Sequence, residues 1–336
     1  MSTLNELNEL QDPLKFSSCG VAAARAIESR LADRLYNDPL AEVLAGPKAL
    51  ELGTQVASGK GSRESLSQQA SFYGYSSADP NQSRKLGWVT LRTRYLDDAL
   101  AKIFAHFQGQ NCQVVLLGAG MDARPWRLPS LHSVSWYDLD QHEVLDLKGR
   151  LLEAAGASKK HGQKAKYPLH AGSYTSAVVD LNSPSWTETL INAGFKQEVP
   201  TVWLAEGLLN YLTQEQNEAL LHTLHKMSAP GSTFLGTLAS EAWEQQRVRL
   251  NEGGHFVNLR KFRKWGGPNK LAEMEKFLRA NQWEPIRLDS GEAATKQIGP
   301  QYEYGAKLDP GTGTPEEIEY LHLFVTATPI AIGTFD

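Results

Sequence analysis

Cysteine is scarce in this chain: Cys19 and Cys112 are the only two in 336 residues. They lie far apart and in no metal-like spacing. That argues against a disulfide framework or a cysteine-based metal site and fits free thiols in a reducing compartment. An excess of positive charge is also missing. The formal net charge is −4, with 34 Lys and Arg against 38 Asp and Glu, which leaves no electrostatic footprint for nucleic acid. No apolar run approaches the roughly 20 residues that span a bilayer. The first sixteen residues, MSTLNELNELQDPLKF, have neither the basic nor the apolar region of a secretory signal. There is no internal repeat. The expectation is a soluble, cytoplasmic chain with no nucleic-acid or membrane partner. Its 41% hydrophobic residues are enough for one large domain or two smaller ones.

Residues 113–128, QVVLLGAGMDARPWRL, are the most informative stretch. Val114 to Leu117 is wholly apolar, the mark of a strand buried on both faces of a parallel sheet. It ends in Gly118-Ala119-Gly120, where two glycines permit a tight turn and close approach of a ligand to the backbone. Asp138 and Asp140 follow about 20 residues on. A strand, a GxG turn and an acid at that distance hold an adenosine-containing cofactor in α/β proteins.

The rest of the chain supports an α/β fold. Residues 18–50 read as helical, interrupted at Asn37-Asp38-Pro39. Residues 53–84 are rich in Ser, Gly and Gln and read as a long loop or lid, with Phe72, Tyr73 and Tyr75 to dock it. A helix runs from about Leu86 to Phe107. Strands are expected at 113–117, 133–137, 177–181, 201–207 and 231–238. A helix with Val144, Leu147 and Leu151 on one face follows the second strand. Thr213 and Gln216 fit a capping box, opening a helix striped with Leu220, Leu221, Leu224 and Met227. Residues 240–267 break the alternation, and a helix over 269–281 follows. WEPIRL and YLHLFVTATP are the last strands, with no helix-length pattern between them, which suggests an antiparallel finish.

An acid stands near the end of each strand after the first: Asp138 or Asp140, then Asp180, then Glu206. Such a ladder along the carboxyl edge of a sheet suits a compact cationic adenosyl ligand and would repel a pyrophosphate. The simpler reading of any one acid is a helix N-cap.

The set GAGMDARPWRL, YDLDQHEVLDLK, VVDLN and AEGLLNYL resembles the leucine carboxyl methyltransferase family. VAAARAIESR, NDPLAEVLAG and RTRYLDD upstream are similar to its bacterial branch, and the likeness covers about residues 18–215. The resemblance implies a Rossmann-like class I methyltransferase fold: a seven-stranded, mostly parallel sheet with an antiparallel last strand, plus an N-terminal helical lid. Residues 1–110 would form the lid region and 111–336 the core, with an insertion at about 240–267. The implied cofactor is S-adenosyl-L-methionine, leaving as S-adenosyl-L-homocysteine. By the same resemblance, Arg92, with Arg94 its neighbour, would pair with the methionine carboxylate, and Arg25 would lie nearby. Gly118, Ala119 and Gly120 would form the glycine turn. Asp138 or Asp140 would bind the ribose hydroxyls, Asp180 the adenine edge with Leu181 beside the ring, and Glu206 the sulfonium and amino end. Tyr211 would face the cleft, although a packed aromatic is an equal reading. The segments 53–84 and 240–267 depart from the family pattern.

The expected activity is O-methyl transfer, with a carboxylate as favoured acceptor, on a small-molecule acid before a protein C-terminus. A carboxylate needs no general base. A hydroxyl acceptor would need one, for which His255 and His142 are candidates, although His255 reads more readily as a solvated loop residue and His142 as a helix-start residue near the ribose acid. The alternatives are a nicotinamide-dependent oxidoreductase and a non-catalytic cofactor-binding protein. Oligomeric state is left open.

Overall fold

The computed structural model describes residues 13–57, 83–107, 109–129, 131–250, 262–307, 313–314 and 316–331. The chain runs α1 (Pro13–Ser29), α2 (Ala41–Ala57), β1 (Arg84–Leu86), α3 (Trp88–Phe107), β2 (Cys112–Leu117), α4 (Arg124–Arg127), β3 (Val134–Asp140) and α5 (His142–Ala155). It continues through β4 (Ala157–His161), β5 (Tyr167–Leu169), β6 (Ser173–Val178), α6 (Trp186–Asn192), β7 (Thr201–Ala205) and a 3-10 turn at Leu209–Tyr211. The last elements are α7 (Gln214–Lys226), β8 (Thr233–Ala239), α8 (Glu241–Leu250), α9 (Leu271–Ala280), β9 (Trp283–Ser290), α10 (Gly291–Ile298), β10 (Tyr302–Tyr304) and β11 (His322–Pro329).

Seven strands form one sheet in the order β6-β3-β2-β7-β8-β11-β9. The first five are mutually parallel, and β11 runs antiparallel to both β8 and β9. This is the Rossmann-like methyltransferase arrangement that the sequence led us to expect. The winding reverses between β2 and β7, and a ligand crevice opens at such a switch point, outside the carboxyl ends of the strands.

Period-2 alternation along the strands divides the core. Val114 and Leu116 of β2 join Val202, Leu204 and Trp136 on one face, covered by α1, α2, α3 and α5. Val115 and Leu117 join Trp203 and Tyr137 on the other, covered by α6, α7 and α9. Ala22 and Ala23 let α1 lie close on α2. Pro47 cannot donate a helical hydrogen bond, and α2 kinks at Gly46, where φ is +70°.

Several expectations need correction. Residues 53–57 continue α2, so they are not loop; residues 58–82, with the aromatics expected to dock a lid, lie outside the described residues. The third strand lies at 173–178 rather than 177–181. It is an edge strand with half its side chains exposed, so its polar first half lacks the apolar run that marks a buried strand. A helix does stand between the last two strands: α10 is only eight residues long and buries small groups such as Ala294, and Ser290 caps it by accepting from Ala293 N. The short parallel pairs β1–β10 and β4–β5 were not foreseen. Of residues 240–267, α8 occupies the first part, and 262–267 passes Asn210 to reach the end of β8, with Gly267 N donating to Ala239 O at 2.9 Å.

The capping box at α7 is present. Gln216 N donates to Thr213 Oγ1 at 3.2 Å, and Thr213 N donates to Gln216 Oε1 at 2.8 Å. Thr213→Ala is expected to cost about 1 kcal/mol, read as a lower urea midpoint. An unchanged midpoint would mean that the start of α7 is held by other contacts.

Candidate active site

The site begins where β2 turns. Gly118 and Ala119 both donate to Leu139 O, at 2.9 and 3.0 Å, folding the turn over the end of β3. Gly118 and Gly120 take φ of +68° and +49°, a region that favours glycine. Gly120 N then donates to Asp140 Oδ2 at 2.7 Å, and Gln141 N to Asp140 Oδ1 at 2.7 Å. Burial pushes the Asp140 carboxyl above the usual carboxylate range, partly offset by these two N–H donors.

Asp138 lies two residues back and is wholly buried. It accepts from Lys148 Nζ at 2.6 Å, Tyr174 OH at 2.7 Å and Trp136 Nε1 at 2.9 Å. The acid ladder at the sheet edge therefore begins at Asp140, not Asp138. Asp180 is exposed just past β6, in a turn where its carboxylate accepts from Asn182 N at 2.9 Å. Leu181 packs beside it against the second core cluster.

Glu206 follows β7 and is held from two sides. Arg92 Nε donates to one oxygen at 2.8 Å and Arg124 Nη1 to the other at 2.6 Å. Arg124 also pairs with Asp122 and, through Nε, with Asp97 at 2.7 Å. Asp97 accepts from Arg127 at 2.6 Å, and Arg127 stands 3.7 Å from Asp38. Asp38 accepts from Arg25 Nε at 2.9 Å, and Arg25 Nη2 donates to Met121 O in the glycine loop. Arg25, Arg127, Arg124 and Arg92 thus alternate with Asp38, Asp97, Asp122 and Glu206, and no side chain in the series is more than 10% exposed. Burial alone would raise the acids. Arg124 overcomes it, holding Asp122 at about 2 and, with Arg92, Glu206 below its ordinary value.

Arg94 points elsewhere: it pairs with Asp98 at 2.8 Å and donates to Leu35 O at 2.8 Å. Of the two arginines in RTR, Arg92 is the one that reaches Glu206. It packs so tightly on Gly207 that a Cβ there would lie 2.7 Å from Arg92 Nη1. His142 is the exposed first residue of α5. His255 lies outside the described residues.

Tyr211 is half-buried in the turn after Glu206, with Arg263 Cζ 5.4 Å from its ring centroid. Its neighbour Asn210 fastens this wall together. Asn210 Nδ2 donates to Ala239 O at 3.0 Å and to Trp265 O at 2.9 Å, Ala239 N donates to Asn210 Oδ1 at 2.9 Å, and Lys264 N donates to Asn210 O at 2.8 Å. Sequence reasoning missed Asp97, Asp122, Arg124, Arg127, Lys148, Asn210 and Arg263. A signal existed for Lys148, which falls on the apolar face of α5 with Val144, Leu147 and Leu151. Asp97 likewise lies on the buried face of α3.

Comparison with known proteins gives the family. The family model for leucine carboxyl methyltransferase matches residues 18–225. The chain belongs to the leucine carboxyl methyltransferase family. A Mycobacterium marinum protein carrying the name of an S-adenosyl-L-methionine-dependent methyltransferase is 30% identical over 350 residues, covering 99% of each chain. Among solved structures, a duf574 family protein from Streptomyces avermitilis aligns with TM-score 0.49 at 12% identity, over 85% of this chain and 94% of that one. Magnesium protoporphyrin IX methyltransferase from Synechocystis, with bound S-adenosylhomocysteine, aligns with TM-score 0.40 at 13% identity, over 83% and 99%.

This family member is an S-adenosyl-L-methionine-dependent methyltransferase, and the nicotinamide-dependent alternative has no support. The residues present suit that cofactor. Arg124 Nη2 is buried with no partner among the described residues, a donor fit for a carboxylate. Glu206 suits an ammonium group, and Asp140 stands as an acceptor beside the glycine turn. Among the described residues no helix is long and apolar enough to cross a membrane.

Two outcomes are expected. A carboxyl held below its ordinary value contributes stability above that value and loses it as pH falls through the folded one. Wild-type stability should therefore drop from pH 3.8 toward about 2 through Asp122. Asp122→Asn should be less stable at neutral pH and flatter over that window in urea titrations; an unchanged acid limb would discount Asp122. Lys148→Met leaves Asp138 buried without its cation and should cost about 3–5 kcal/mol. A loss near zero would show that the Trp136 and Tyr174 donors suffice.

Proposed function

We propose that this enzyme transfers the methyl group to a carboxylate oxygen of a small-molecule acid. The observation that carries the reading is the family match over residues 18–225, since the family's namesake chemistry is at a carboxyl group. The cationic character of the Tyr211–Arg263 wall supports it. A small acid is preferred over a protein C-terminus because the described residues form a sheet with its covering helices and no separate recognition module.

In this reading Gly118, Ala119 and Gly120 take the cofactor along the backbone, and Asp140, rather than Asp138, accepts from the ribose hydroxyls. Asp180 accepts from the adenine edge and Leu181 packs on the ring. Arg92 and Arg124 take the methionine carboxylate, and Glu206 the ammonium group. Arg25 acts indirectly, by fixing the Met121 carbonyl and so the glycine loop. When bound, the cofactor supplies an electrophilic methyl group on a sulfonium. Tyr211 stands on the acceptor side. A carboxylate acceptor is already ionised at neutral pH, so no residue has to remove a proton. The protein's contribution is orientation and exclusion of water, worth up to about 7–11 kcal/mol.

Calorimetry with S-adenosylhomocysteine, with NAD as control, tests the cofactor half. Micromolar binding of the first and none of the second is expected. Asp140→Asn should weaken it at least tenfold without altering thermal unfolding. Because the Asp140 carboxyl is raised and is a weaker acceptor once protonated, wild-type affinity should fall on acidification, beginning above the usual carboxylate range, while the Asn variant should lack that limb. Equal affinity in the variant would remove Asp140 from the site. For the acceptor, turnover with small acids and none with a peptide C-terminus is expected; the reverse pattern would overturn the small-molecule reading.

A further inference from the structure

The cofactor half of the site draws on the carboxyl ends of β2, β3 and β6. The opposite half, beyond the switch point, is built by the loops after β7 and β8, where Glu206 alone has been given a cofactor role. Arg263 is the cation there that stands against an aromatic ring. Arg263 lies over the Tyr211 ring, and its position is set by the Asn210 bonds to Lys264, Trp265 and Ala239. The bridge between Ser240 and Gly267 fixes the same segment to the end of β8.

Arg263 pairs with Glu244 through Nη1, while its Nε is buried and unpartnered among the described residues. Its side chain is 22% exposed, so the guanidinium is neither sealed in the core nor lost in solvent. Burial pulls its basicity down, but Glu244 and Tyr211 more than offset this, so it stays charged. The surrounding sequence is strongly basic for a chain of net charge −4: Arg260, Lys261, Arg263 and Lys264 fall within five residues. An arginine fork with an unsatisfied donor, backed by an aromatic face, is the arrangement that grips a planar carboxylate.

We propose that Arg263 anchors the acceptor, binding the carboxylate of a small organic acid against the Tyr211 ring. This deepens the carboxylate reading above and rests on it. Arg263 holds one acceptor oxygen. A lone pair on the other forms the new O–CH3 bond as the S–CH3 bond breaks, its electron pair returning to sulfur. No proton moves, and the products are a methyl ester and S-adenosylhomocysteine.

The test uses full-length protein loaded with S-adenosylhomocysteine and titrated with benzoate, with benzamide as its neutral isostere. Wild type is expected to bind benzoate and to discriminate against benzamide. Arg263→Gln should lose at least tenfold in benzoate affinity, and Arg263→Lys should recover part of it. S-adenosylhomocysteine affinity should stay within twofold in both, confirming the fold. Glu244→Gln should tighten benzoate, because it removes a competing carboxylate; a purely structural Arg263 would not give that gain. Full benzoate affinity in Arg263→Gln, or loss of S-adenosylhomocysteine binding there, overturns the assignment of Arg263 alone. Absence of benzoate binding in wild type, or equal binding of benzamide, overturns the carboxylate reading together with it.

Discussion

The site depends on a run of alternating buried charges, from Arg25 to Arg92, that ties α1, α3, α4 and the end of β7 together at the edge of the apolar core they share. Each ion loses several kcal/mol of hydration on burial, so none is tolerable alone. Alternation solves this, since every guanidinium meets a carboxylate and every carboxylate a guanidinium. The arrangement uses local structure economically. Pro125 suits the first turn of α4 and Pro129 forces Leu128 out of the helical region, so the helix is one turn long with Arg124 and Arg127 at its two ends, and both reach Asp97. Asp122, inside the glycine loop, pairs with Arg124, so that loop is fastened to the helix that follows it.

A zwitterionic ligand end suits such a network. It brings one charge of each sign and leaves the balance unchanged. Arg124, with one buried nitrogen unpartnered, and Glu206, held between two arginines, offer a place for each. The wall around Tyr211 is organised differently. There a neutral side chain, Asn210, links three separate backbone segments and sets the place of Arg263. One half of the crevice is held by charge and the other by amide hydrogen bonds.

Much of this was legible in the sequence wherever the signal was local. The apolar run at 114–117, the glycine turn after it and the Thr213–Gln216 box could all be read from neighbours a few positions apart; the antiparallel last strand was expected partly from a missing helix that is present as α10, and the family resemblance pointed to it independently. Asp138 and Asp140 could not be separated that way. Both stand at the right distance from the turn, and the difference is Lys148, which reaches Asp138 from α5. Arg124 and Asp122 lay inside a recognised motif yet had no assigned role, because Arg124 finds Asp97 and Glu206 at separations of 27 and 82 residues. The edge strand at 173–178 escaped for the opposite reason: an exposed face leaves no apolar run to detect.

Those separations carry a consequence for how the molecule assembles. Arg92 meets Glu206 across 114 residues and Arg25 meets Met121 across 96. Contacts of that span close late, after the chain has met the entropy of large loops. A half-built ion network would strand charges in a forming core, so it gains little until β7 docks and supplies Glu206. The charged crevice is therefore expected to form late, once the centre of the sheet is in place.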